Sequence, residues 1–183
     1  MDRLSLIVGG IAMAVLIARY VSYGAARLDR LHARVEGALS VLDAQLVRRA
    51  EATLELANCG ALDAASALFL AGAASDSLEA DTADHIFREG IESDLTQALE
   101  LALGAEALRR LRADEGVGAP VLQRVGAANQ RVQLARRFLN DAVTDVRRVR
   151  RKPGVRLLRL AGHAELPQTF EIDDELPMLV RGT

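Results

Sequence analysis

Residues 129–153 read NQRVQLARRFLNDAVTDVRRVRRKP, and the spacing of their apolar side chains decides the fold. Val132, Ala135, Leu139, Ala142, Val146 and Val149 alternate steps of three and four, and the series runs back through Ala128 to Val125. That is the seam of a helix packed along its length against other helices. Ala at every second seam position but the last lets a neighbour approach closely, which points to a tight bundle; a parallel coiled-coil dimer through this helix alone is the competing arrangement. Asn129, Gln133, Arg136, Asn140 and Arg147 flank the seam at helical spacing, placed to bond to a neighbouring helix. Pro120 suits the first turn of this helix, and Pro153-Gly154 ends it after Lys152.

Working outward, the chain has 183 residues, half of them apolar, with 3% aromatics and no Trp. Ala, Leu, Val and Arg dominate, and this bias toward helix formers predicts an all-α protein with one core. From Ala25 to Asn58 the apolar positions Leu28, Leu31, Val35, Leu39, Leu42, Leu46, Ala50, Leu54 and Ala57 step by three or four, the face of one long helix. Cys59-Gly60 interrupts it. A second helix is expected from Ala61 to Glu89 around AASALFLAGAA, with Gly90 closing it. A third is expected from a cap at Ser93 or Asp94 to Ala113, followed by the loop DEGVGAP. The order is that of an up-and-down antiparallel four-helix bundle over residues 25–152. Residues 153–183 then read as a short amphipathic helix, VRLLRLAG, and an acidic tail packed only through Phe170 and Ile172.

Ahead of the bundle, Leu4 to Ala18 is free of charge, and Arg19 is the only ionised residue between Arg3 and Arg27. Fifteen residues cover only about 22 Å as a helix. Arg19 can extend its charge to the interface and Tyr20 and Tyr23 suit it, so residues 1–24 form a transmembrane anchor. A cleaved signal peptide has an apolar stretch of similar length, but it wants a basic start, and here Asp2 offsets Arg3. Arg19, Arg27, Arg30 and Arg34 follow the span and Arg3 alone precedes it, which puts the domain in the cytoplasm.

The net charge of −2 conceals an asymmetry. Residues 76–100 carry eight acids and only Arg88, whereas Arg131 to Arg159 carry ten basic residues against two acids. On the first helix Asp43 lies on the apolar face between Leu39 and Leu46, where an ionised carboxylate is costly without a partner. Arg136 is the expected partner, with Asn129 and Asn140 completing a polar network; Arg48 or Arg49 is the local alternative. An antiparallel bundle returns the end of the fourth helix to the membrane. Arg147, Arg148, Arg150, Arg151 and Lys152 then lie beside Arg27, Arg30 and Arg34 as a cationic collar at the lipid surface.

Four stretches together resemble the LemA family. They are LDAQLVRR at 42–49, DLTQALELALGAEAL at 94–108, NQRVQLARRFLNDAV at 129–143, and the terminal PQTFEIDDE at 167–175. The resemblance covers about residues 30–175 and is most specific in the fourth helix and tail. Leu139 stands where the family usually has Tyr, Leu108-Arg109 replaces its Tyr-Pro, and the pattern fades from Ala50 to Glu92. What it implies is an N-terminal membrane helix, a four-helix bundle and no enzyme.

Chemistry-bearing patterns are weak. Asp81, His85 and Glu89 are spaced to share a helix face, and a metal-assisted hydrolase around His85 is one alternative; a single His in an acidic row fits a solvated face better. His163 and Glu165 make the same weak case. Cys59 is the only cysteine, which excludes an intrachain disulfide. There is no phosphate loop, zinc spacing or nucleophile elbow, and no cofactor is expected. A helical nucleic-acid-binding module is the other alternative. The basic stretch could meet phosphates, but aromatics for stacking are missing and some of its arginines border the seam. The expectation is therefore a membrane-anchored scaffold or adaptor whose partners are the bilayer and a protein the sequence does not name. It does not fix an oligomeric state either.

Overall fold

The computed structural model describes residues 3–80, 85–157 and 166–176. Among the described residues there are six helices and no strand: α1 Arg3–Asn58, α2 Ala64–Glu79, α3 His85–Ala102, α4 Ala105–Ala113, α5 Gly118–Arg150 and α6 Pro153–Leu157. The anchor segment and the first predicted bundle helix are thus one continuous helix. It holds no proline, and its end is set by Gly60, whose φ of 78° lies in the left-handed region open to glycine. The chain divides into two compact units, Met1–Gly37 with Asn140–Thr169, and Ala38–Leu139 with Phe170–Thr183.

In the first unit Leu28, Val149 and Val155 form a small core with Leu31 against it. Arg34 pairs with Asp145 at 3.5 Å. A Cβ built on Gly154 would lie 2.5 Å from Tyr20 Oη, so α6 seats against the Tyr20 side chain of α1, which would have to swing aside for any larger residue there.

The second unit holds the larger core. Leu56 of α1, Leu70 of α2, Leu99 of α3, Leu111 of α4 and Val121 and Val125 of α5 meet in one cluster, joined by Leu176 of the tail. Ala50, Ala74 and Leu95 form another, where small residues bring α1, α2 and α3 close. All eight seam positions of α5, Val125 to Val149, are buried, as the alternating spacing requires.

Four boundaries depart from the expectation. α2 begins later, at Ala64, because Asp63 caps it: its carboxylate accepts from Ser66 N at 3.0 Å, and hydrogen bonds from Ser66 hold that carboxyl below its usual range. It ends at Glu79 rather than Glu89. Gly90 closes nothing, since it sits exposed inside α3, where glycine costs about 1 kcal/mol relative to Ala. Burial of Leu95, Ala98 and Leu99 on the same helix outweighs that cost. Ser93 bonds back to Glu89 O at 2.8 Å as an interior residue instead of capping. The third expected helix is broken at Leu103-Gly104, where extended Gly104 (φ −60°, ψ 165°) starts α4.

α5 starts at Gly118, with Pro120 in its first turn as expected. Asp114 accepts from Gly116 N and Gly118 N at 3.2 and 3.1 Å, folding DEGVGAP into the helix start. A Cβ on Gly118 would lie 2.8 Å from Leu111 O, so the turn needs glycine. Pro153 opens α6 as well as ending α5. The later part of VRLLRLAG lies outside the described residues, as do His163 and Glu165.

Candidate functional site

The polar centre of the second unit grows from three helix faces. On α1, Arg49 follows Leu42 and Leu46 on the core-facing stripe, and it is fully buried. On α3, Glu92 shares a face with Leu95 and Leu99 and is also fully buried. Arg49 Nη2 binds Glu92 Oε2 at 2.6 Å and Glu92 O at 2.8 Å. Its Nη1 donates to Thr96 Oγ1 at 3.1 Å and to Asn129 Oδ1 at 3.3 Å, so one guanidinium fixes a side chain on α3 and another on α5. Glu92 accepts further from Ser77 Oγ of α2 at 2.7 Å, and Arg88 Nε lies 2.9 Å from Glu92 Oε1, out of line for a hydrogen bond. Arg88 Nη1 donates to Ala80 O at 2.7 Å, tying down the end of α2. A buried charge is tolerated only when paired and hydrogen-bonded, and Glu92 is held by both arginines and by Ser77.

Against this centre lies the tail. Residues 166–176 have no regular secondary structure, and from Phe170 to Leu176 burial alternates: Phe170, Ile172, Asp174 and Leu176 are buried, whereas Glu171, Asp173 and Glu175 are exposed. Such alternation is that of an extended chain with one face on a surface. Its main chain is held by side chains of two helices. From α3, Glu89 accepts from Glu171 N at 2.9 Å, Ser93 Oγ accepts from Asp173 N at 3.2 Å, and Thr96 Oγ1 donates to Asp173 O at 2.6 Å. From α5, Asn129 Nδ2 and Gln133 Nε2 donate to Asp174 O at 2.9 and 2.6 Å. Arg136 grips the Asp174 carboxylate with Nε at 2.7 Å and Nη2 at 3.1 Å, and reaches Glu171 at 3.6 Å.

Of the residues expected to form a polar network, Arg136 and Asn129 stand beside the tail, and the carboxylate that Arg136 grips is that of Asp174. Asp43 is half buried and, like Asn140, is not without a partner. The tail packs through Asp174 and Leu176 as well as Phe170 and Ile172. Arg49, Glu92, Arg88 and Asp174 escaped the sequence reading as core residues. Their signal was position: Arg49 and Glu92 stand in a helical apolar period, Arg88 stands one turn before Glu92 on the same face, and Asp174 stands in an alternating one.

Among the basic residues, Arg27, Arg30, Arg34, Arg148, Arg151 and Lys152 are exposed, and Arg147 and Arg150 are half buried. The Leu28, Val149 and Val155 contacts bring the 27–34 turns of α1 beside the end of α5. Arg147, Arg150 and Arg151 line a cleft of about 410 Å³ with Leu166, and Arg147 Nε donates to Pro167 O at 3.0 Å. Among the described residues no group of three or more His, Cys, Asp or Glu is placed to hold a metal ion. Asp81 and the His85 side chain lie outside the described residues.

What these groups offer chemically is binding. The guanidiniums present fixed donors to carboxylates and main-chain carbonyls. Comparison with protein-family models, with curated proteins and with solved structures gives no match.

Proposed function

We propose that the chain is a divergent LemA-like, single-pass membrane protein whose domain is a non-catalytic scaffold or adaptor. In this reading the domain is an antiparallel four-helix bundle, with α3 and α4 together as its third member. Its basic end faces anionic lipid on the cytoplasmic side. The observation that carries the reading is the front of α1. Its most apolar window has a mean hydropathy of 1.6 and none of it is buried, and Ile11, Leu16 and Tyr23 are 60%, 64% and 67% exposed. A helix that apolar and that uncovered loses its hydration cost in a bilayer. The main core cluster, drawn from all of α1 to α5, supports the bundle. The meeting of α1 and α5 at Leu28 and Val149 supports a shared cationic end.

Each cation near an anionic surface contributes about 1 kcal/mol, and little beyond a Debye length of about 10 Å. A chain beginning at Ala25 should therefore bind acidic vesicles at low salt. Replacing Arg147, Arg148, Arg150 and Arg151 with Gln should weaken that binding strongly without changing the helical circular dichroism. Equal binding by the parent and the quadruple variant sinks the collar. Orientation is tested separately, with a Cys placed at Thr183 and Cys59 removed. Labelling from outside intact cells should fail until the membrane is opened, and ready labelling of sealed cells would reverse the assignment.

A further inference from the structure

The tail is attached to the helices as a bound peptide is. The groups that hold its main chain stand at 89, 93 and 96 on α3, one helical face, and the α5 groups at 129, 133 and 136 repeat the same spacing. The two walls are commensurate with an extended chain. Four helical residues, Glu89 to Ser93, advance about 6 Å. Two extended residues, Glu171 to Asp173, advance about 6.6 Å, so successive outward-facing residues of the tail meet successive turns of α3. Both walls are also set from below, because Arg49 bonds to Thr96 and to Asn129, two of the three groups that read the carbonyls of Asp173 and Asp174. Groups oriented by a buried arginine need no peptide to orient them.

We propose that the α3–α5 groove is a recognition site for an extended acidic segment of a partner protein, and that residues 170–176 are its occupant in cis. The groove reads main chain through Glu89, Ser93, Thr96, Asn129 and Gln133, which is indifferent to sequence. It selects an aspartate through Arg136, and apolar side chains four and two residues before it and two after it, where Phe170, Ile172 and Leu176 are now buried. The exposed cation Arg137, one turn past Gln133 on α5, favours an acidic ligand, as the acids of the tail itself indicate. This names the partner class for the adaptor reading and rests on it. Its test needs no membrane surface, so the collar and the groove fail independently.

The tethered tail competes at an effective concentration on the order of millimolar, so an external peptide gains access only when the tether is cut. The experiment places a protease site between Gln168 and Thr169, since Gln168 is exposed, and cuts the full-length chain after folding in detergent. The probe is a fluorescent peptide of residues 169–178, TFEIDDELPM. The cut chain should take up the probe saturably and keep its helical signal, while the uncut chain takes up at least roughly tenfold less. A probe carrying Asp174→Asn, which poses no folding question, should bind roughly tenfold more weakly, and Arg136→Gln in the chain should erase that difference between probes. Collapse of the helical signal when the cut segment is removed makes the tail part of the core and overturns the proposal. So does a folded cut chain that ignores the probe or does not distinguish the Asn variant. Concentration-dependent dimers of the uncut chain that dissociate on cutting would assign the groove to a second copy instead.

Discussion

Arg49 and Glu92 show where a charge stops being surface chemistry. Each is fully buried, their contact is 2.6 Å, and the carboxylate also faces Arg88. Removing one member of such a pair strands the other, which costs about 3–5 kcal/mol, against under about 1 for an exposed pair. Glu92→Ala leaves two guanidiniums without their carboxylate, so its urea midpoint should fall by an amount in the buried range. A control such as Glu106→Ala, which breaks exposed pairs with Arg109 and Arg110, should move it little. Equal small losses in both would mean that water reaches the network. Both positions lie in an apolar period, but the period does not say what they meet. An arginine three residues past Leu46 is visibly on a core face, but its partners are 43 and 80 residues away, and only the assembled helices bring them within bonding distance.

α1 is one helix in two environments. Leu16 is 64% exposed and Leu46 is fully buried, although backbone and residue type are the same. Leu46→Ala should cost about 2–5 kcal/mol in denaturant unfolding. Leu16→Ala in detergent should leave the unfolding midpoint where it is, because no protein core covers that side chain. Comparable losses from both substitutions would show that the N-terminal half packs on protein. Long elements were legible from period alone: α5 was placed to within two residues at either end, and the Asn58 end of α1 was met, because a seam of eight positions leaves little freedom. The middle of the chain was not legible. Gly90 and Gly104 look alike in sequence, yet one lies inside α3 and the other starts α4. What separates them is tertiary burial on either side, Glu92 and Leu95 continuing one packed face and Leu103 turning into the core.

In the proposed adaptor, a basic end facing lipid and a groove between α3 and α5 that holds an acidic segment would be two separate binding surfaces. Both readings depend on where the chain resides. The apolar front of α1 is continuous with the helix that supplies Arg49, so inserting the first places the domain at the membrane without a linker. Its mean hydropathy window of 1.6 is also compatible with a segment that is removed after export, and the two fates differ in mass and in extraction. Membranes from cells making the chain should be washed at alkaline pH, which strips peripheral proteins, and the pellet read by intact mass. Retention in the pellet of the full 19.7 kDa chain, with residues 1–24 still attached, is the predicted result. Release of the intact chain into the alkaline wash, or recovery of a chain that has lost its N-terminal segment, would contradict the anchor and with it the lipid-docked adaptor.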